Sequence, residues 1–381
     1  MRSGEYAGVD WFRLPAALLV IAIHTAPLSG ISPGLDAAVT YGLGRLAVPF
    51  FFMTTGYFLI GPCLLGKKGS RERYGRFEIR MLILYGAASA LYLPVAWYAG
   101  NLPKTPGELA RMVLFDGMFY HLWYFPALLL GGRIARGLGR LGKEKALALA
   151  GGLYLAGLLG DSYYGLTAQI PHLKAGYEAL FQIMGYTRNG LFFAPLFLLL
   201  GAYMKEPEAD KRRRTGRVSG DAGVGTLTAG GVPMTLTAGV PMALTAGILM
   251  TEAFLVFRLG LARHDSMYLS LPAAMYVWYQ GLLSAGGSAP RWLRDGTLCV
   301  YVIHPLVIIL VRGAAKYTGT AALLVENPMV HYLAVCAGSL AAAALYSRGR
   351  RAAEAYPPGR LEASEKRGRR RSMERTKKER G

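Results

Sequence analysis

Charge is scarce in this chain. Asp, Glu, Lys and Arg make up 17% of its 381 residues, where an average soluble domain has about 25%. Acidic residues are scarcest, 23 against 43 basic ones, for a formal net charge of +20. There are three cysteines, Cys63, Cys299 and Cys336, each in an apolar run and without metal-ligand spacing. That excludes a disulfide framework, and all three read as buried packing residues. Alternating ten-residue segments, the mark of a β-barrel, are absent. So are a P-loop, a Rossmann-type glycine turn and a zinc-protease HExxH. The glycines of GLGRLG at 137–142 read as a helix break. A water-soluble two-domain enzyme, which the length alone would allow, is set aside.

What is present is apolar, with 53% hydrophobic residues and a mean hydropathy of +0.29. Nearly uncharged runs of about 20 residues recur from end to end, each long enough to cross a hydrocarbon core of roughly 30 Å as a helix. The fold class expected is all-α, a polytopic transmembrane bundle. Ten spans are expected, at about 9–28, 41–64, 78–99, 118–138, 146–163, 188–204, 236–258, 267–286, 297–315 and 329–347. The first run has no small-residue cleavage site and is expected to stay as a span.

Lys and Arg placement orients the spans. The segments 65–80, 131–145, 205–217 and 348–381, with Arg2, Arg291 and Arg294, hold 33 of the 43 basic residues; the alternate loops hold eight. Both termini are therefore expected in the cytoplasm, in a plasma (inner) membrane. The basic tail at 348–381 reads as a solvated segment facing anionic lipid. No aromatic residue interleaves its basic run KRGRRRSMERTKKERG, so nucleic acid is not an expected partner. A short tandem repeat, TLTAG at 226–230 and 235–239 and ALTAG at 243–247, reads as local duplication, far below a solenoid period.

Ionisable side chains inside spans cost at least about 2.5 kcal/mol near the helix centre and are suspects for function. The first span, GVDWFRLPAALLVIAIHTAPL, carries Asp10, Arg13 and His24. Asp10 and Arg13 are neighbours across one turn and can pair. Arg13 and His24 are three turns apart on one face, roughly 16 Å along the axis. One face thus offers a fixed cation toward the inner half and a titratable base toward the outer half. Snorkelling at the interface also fits Asp10 and Arg13, and a hydrogen-bonded core imidazole also fits His24.

Arg13, ten residues, then His24 resembles the Arg-x10-His motif of membrane-bound acyltransferase family 3. RLAVPFFFMTTGYFLI (45–60), HLWYFPALLLG (121–131), TRNGLFFAPLFLLLGAYM (187–204) and VYVIHPLVII (300–309) resemble further segments of that family, in order. The wording is most similar to the membrane domain of vancomycin-resistance serine/alanine racemases. The resemblance implies transfer of an acyl group, commonly acetyl from cytoplasmic acyl-CoA, to a hydroxyl or amine of an envelope glycan or small acceptor. It implies Arg13 as donor-binding group and His24 as catalytic base. Acyl-CoA is the expected co-substrate, with no metal. The 34 residues from 348 to 381 are too short for a racemase domain, so no pyridoxal phosphate is expected. Expected partners are membrane lipid, acyl-CoA, the acceptor and a separately encoded racemase. The rival expectation is a transporter or accessory membrane module for a small polar solute such as serine.

Further substrate-binding candidates lie toward the outer side. His121 stands beside Trp123 and Tyr124, two residues that also suit an interfacial aromatic belt. Arg188 and Asn189 open the sixth span, and Arg188 suits an anionic or glycan group as well as an interface anchor. Glu252 in MTEAFLV needs a partner, for which Arg188 and His24 are candidates. His304 precedes Pro305, where a freed carbonyl can be satisfied locally. Arg45 can snorkel, and nothing elevates His172, His264 or His331.

Overall fold

The computed structural model describes residues 6–205, 234–290 and 292–355, and every regular element among them is a helix. Most of the basic tail, and the first copy of the repeat, lie outside the described residues. Ten principal helices follow the ten apolar runs: α1 Ala7–Thr25, α2 Pro33–Leu64, α3 Ser70–Tyr98, α4 Tyr124–Leu138, α5 Lys143–Leu159, α6 Ala194–Tyr203, α7 Met234–Arg258, α8 Leu271–Ser284, α9 Trp292–Thr318 and α10 Pro328–Ala355. Six of them, α1, α2, α3, α7, α9 and α10, are long and apolar enough to cross a membrane. Long helical strips also leave apolar side chains exposed, as Ile79, Leu82, Ile83, Leu93 and Trp97 do on α3. This is a multi-pass helical membrane protein.

The other four helices are shorter. α4, α5, α6 and α8 are 15, 17, 10 and 14 residues long, because the apolar runs at 118–138, 188–204 and 267–286 begin in non-helical turns and the run at 146–163 ends in one. Residues in those turns, such as Leu122, Phe193, Met267 and Tyr268, are buried. Hydropathy reports burial and not helicity, so turn and helix were read as one run.

α2 is not uniform. Its α-helical stretch Ala47–Thr55 passes into a π turn over Gly56–Ile60 before closing at Gly61–Leu64. Beside that turn α2 meets α6 at backbone distance: a Cβ on Gly56 would overlap the Leu198 carbonyl, and one on Gly201 would overlap the Met53 carbonyl. Only glycine allows this approach.

α1 lies against α2, α8, α9 and α10, and one edge of it joins a second apolar cluster with Val300, Ile308, Val335 and Cys336. Cys336 is buried there, whereas Cys63 and Cys299 are half-buried; all three are free thiols. The start of α1 sits at the end of α8, with Trp11 Nε1 donating to the Ser288 carbonyl at 2.9 Å. Lys205, just past α6, reaches the Tyr6 hydroxyl at 3.1 Å. The start of α1, the ends of α6 and α8 and the start of α9 therefore share one side of the bundle. The end of α1 and the turns 117–123, 184–193 and 259–270 share the other.

Candidate active site

Asp10, buried in the first turn of α1, binds two guanidinium groups at once. Its Oδ1 takes Arg13 Nε at 3.2 Å, and its Oδ2 takes Arg294 Nε at 3.0 Å and Nη2 at 2.7 Å. Two cations on one carboxylate leave a positive excess, and Asp10, Arg13 and Arg294 all line the same cavity of about 300 Å³. Its walls are apolar and aromatic, among them Phe51, Phe58, Phe77 and Met81, and Tyr124 and Tyr301 also line it. The π turn of α2 contributes Phe58 and Leu59.

Tyr301 is also the floor of a histidine cluster. Its ring is 5.8 Å from that of His121 and 6.1 Å from that of His304. His304 stacks on His24 at 5.4 Å and meets His121 edge-on at 5.4 Å, and Tyr120 closes against His24 at 4.9 Å. The cavity is thus lined by the Asp10–Arg13–Arg294 cluster and by a side chain that meets two of the three imidazoles, and α1 carries a functional candidate at each end.

Pro305 arranges this cluster. It has no N–H, so the Tyr301 carbonyl one turn earlier loses its helical partner. His304 Nδ1 donates to that carbonyl at 2.8 Å. One residue further on, the Tyr92 hydroxyl enters the ladder, donating to the Val302 carbonyl at 2.7 Å and accepting from Leu306 N at 3.2 Å. His121 Nε2 donates to the same Val302 carbonyl at 3.2 Å. Backbone acceptors therefore fix both tautomers, leaving His304 Nε2 and His121 Nδ1 unprotonated, buried and without a protein partner.

On the side opposite Arg13, the half-buried Arg45 and Arg188 lie close enough to His24 at the end of α1 for it to feel their charges, a region termed the vestibule. Arg45 pairs with Asp265 at 2.8 Å. The Arg188 guanidinium lies over the rings of Tyr186, at 4.7 Å, and Trp123, at 5.3 Å, and Nη1 reaches Ser266 Oγ at 3.3 Å. Burial and the neighbouring Arg45 charge both push the Arg188 pKa down.

Of the residues singled out in the sequence, the structure brings His24, His121 and His304 into one cluster and Asp10 with Arg13 into one ion-pair network. Arg188 and Trp123 meet each other at 5.3 Å. Tyr124 is interior, with 9% of its surface exposed, and does not belong to an interfacial belt, whereas Trp123 is half-buried; His121 is buried as well. The remaining two candidates are occupied by the chain itself. Asn189 spends its amide on Met184 and Tyr186 and its carbonyl on Leu191 N and Phe192 N, holding the turn before α6. Glu252 accepts from the Tyr163 hydroxyl at 2.7 Å and from Ser270 N at 2.8 Å, with Leu269 N and Ser270 Oγ adding further bonds. It caps the start of α8, in place of the expected pairing with Arg188 or His24.

A family model described as an acyltransferase domain matches residues 6–348. The chain belongs to acyltransferase family 3. Among curated proteins it is similar to two amino-acid racemases of Enterococcus faecalis, 36% identical over 333 residues and 33% over 349, and to a serine/alanine racemase of Enterococcus gallinarum, 32% identical over 334. The matches cover 86–89% of this chain and 44% of each relative, so it spans less than half their length. No solved structure matches it.

In this acyltransferase-family chain the sequence reading missed Arg294, Tyr92, Tyr120, Tyr301 and Asp161. Tyr301 had a signal, since it stands one turn before His304. Arg294 was absorbed into the basic count of a loop, and its partner is 284 positions away. Tyr92 is one of 23 tyrosines, with no feature of its own short of the fold.

Proposed function

We propose that the protein moves an acyl group, acetyl in the simplest case, from acyl-CoA on the cytoplasmic side to a hydroxyl or amine of an envelope glycan or small acceptor. The observation that carries this reading is a single cavity lined by Asp10, Arg13 and Arg294 and also by Tyr301, whose ring meets those of His121 and His304. A phosphate-bearing donor suits the cationic end. Its pantetheine arm suits the narrow apolar passage, which would deliver the thioester to His24. The acceptor enters from the vestibule. His24 takes the acceptor's proton as its oxygen or nitrogen attacks the thioester carbonyl. The tetrahedral intermediate then expels the CoA thiolate, which receives that proton from the His24 imidazolium. Arg13 and Arg294, oriented by Asp10, bind the donor's phosphates.

In this reading all ten helices cross or enter a plasma membrane with both ends cytoplasmic, as the distribution of basic residues favours. No metal is required, and neither is pyridoxal phosphate. The relatives' names, with 44% of their length matched, favour a partner too: a racemase working beside this membrane module.

The test is CoA release from labelled acetyl-CoA by the full chain in detergent. His24→Ala and Arg13→Ala are each expected to lower turnover at least about 100-fold while the folded protein remains in the membrane fraction. Retained turnover in the His24 variant would sink the mechanism.

A further inference from the structure

The vestibule at His24 contains a cation that the chain does not neutralise. Among the described residues no carboxylate lies within ion-pair distance of Arg188, and its Nε is buried with no hydrogen-bond partner. Its partners are two aromatic faces and one hydroxyl. A guanidinium withdrawn from water and left unpaired is costly, and a bare buried N–H adds to that cost.

Three acids feel its charge without touching it, and Asp116 belongs to Arg111, at 3.3 Å. Asp265 belongs to Arg45, at 2.8 Å. Asp161 spends Oδ1 on Ser266 N at 2.6 Å, Met267 N at 2.9 Å and Ser162 Oγ at 3.0 Å, holding the 265–267 turn in place. Burial pushes its carboxyl up to about 6, against the pull of the Arg188 and Arg45 charges, and among the described residues its Oδ2 is buried without a hydrogen-bond partner. The positive surroundings are felt beyond Arg188. His264, packed 4.4 Å from the Tyr186 ring, is pushed down to about 4 by burial and then by the Arg188 and Arg263 charges. The region is also reachable: His24 and Arg188 are half-buried, and Tyr120 beside His24 is 45% exposed.

We propose that the acceptor is an anion, and that Arg188 binds its carboxylate or phosphate while an adjacent hydroxyl or amine of the same molecule faces His24. This rests on the acyl-transfer reading for the reaction, but the anion site itself does not. A neutral sugar would leave Arg188 as it stands, whereas an oxyanion would bring a counter-charge into contact with the guanidinium. The two rings hold the guanidinium plane in place, so little freedom is lost when the anion arrives.

The experiment compares glucuronate, glucose 6-phosphate and glucose, which distinguish carboxylate from phosphate on a common ring. Thermal unfolding of the full chain in detergent is followed at fixed ionic strength. At least one anion is expected to raise the midpoint of the wild type, and glucose is not. Arg188→Gln is expected to lose the response, and Arg188→Lys to keep part of it through charge alone. The Lys variant and the wild-type ligand comparison carry the test if the Gln variant fails to fold. In the CoA-release assay the preferred anion is expected to have a KM about 10- to 100-fold below that of glucose, the range of one charged hydrogen bond. Equal responses to glucose and the anions, no response to either anion, or a full response in Arg188→Gln would each overturn the proposal. An anion response without CoA release would instead refute acyl transfer and leave the Arg188 site standing.

Discussion

Asp10 on α1 holds Arg294 on α9 through two hydrogen bonds to one carboxylate oxygen, at 3.0 and 2.7 Å, across 284 positions of sequence. The same carboxylate steadies Arg13, so Asp10 sets where the cationic mouth of the cavity points. Asp10→Asn keeps the volume and removes the charge that aligns both guanidinium groups. The KM for acyl-CoA is expected to rise about tenfold, with a smaller change in kcat, because charge-assisted bonds of this kind contribute about 1.5–3 kcal/mol. Steady-state kinetics with acetyl-CoA as the varied substrate checks this.

The Tyr92 hydroxyl bridges the break in α9, serving the Val302 carbonyl and Leu306 N together. Tyr92→Phe leaves both with one partner fewer in the protein interior. A loss of about 1–3 kcal/mol of stability is expected, together with a fall in kcat, since His121 shares the Val302 carbonyl. Unfolding in detergent and turnover per folded molecule measure the two effects separately.

Glu252 is committed to the start of α8 and to Tyr163. Glu252→Gln is therefore expected to lower stability by about 1–2 kcal/mol, the scale of a lost helix cap. KM and kcat of the folded fraction should stay within twofold of wild type, a margin taken from the ordinary scatter between variants that spare a site. A large kinetic effect with unchanged stability would instead return Glu252 to the substrate.

His264 couples the vestibule to acid. Its folded pKa of about 4 lies below the unfolded value of about 6.5. Above the unfolded value both states are neutral at this residue, and its contribution to stability is complete. As pH falls from about 6.5 toward about 4 the unfolded chain takes up a proton that the folded one resists, and that stability is lost. His264→Gln is expected to flatten the fall of the unfolding midpoint across this window. The comparison is between variant and wild type, because Asp161, pushed up to about 6, acts in the opposite sense in both.

Much of the architecture was legible in sequence because lipid demands helices and apolar runs mark them. All ten runs contain a helix, and His24 with Arg13 could be placed on one face of α1 from helical geometry alone. The four short helices were not legible as such, since the turns beside them carry buried apolar residues such as Leu122 and Phe193 that extend the runs. Within the candidate site, local signals served well: Asp10 finds Arg13 one turn away, and His304 stands next to its proline. Contacts closed by the tertiary fold were hidden. Nothing near Glu252 in sequence reveals Tyr163 or the start of α8, and nothing near Asp10 reveals Arg294. Asn189, beside Arg188 in sequence, turns away into its own loop, so adjacency misled there.

The π turn at Gly56–Ile60 makes the lining of the cavity depend on residue count as well as residue type. A π turn holds one residue more than the α-helical turn it replaces, and each α-helical residue advances a helix by about 100°. Deleting one residue between Gly56 and Ile60 would restore an ordinary helix without exposing a single backbone group. The five residues of the π turn carry the helix round about as far as four α-helical ones, so the rest of α2 would keep its faces while the bulge that places Phe58 and Leu59 on the cavity wall disappeared. Such a deletion preserves composition, hydropathy and helicity and still dismantles the passage, so in chains of this kind the length of the second helix is itself a functional character.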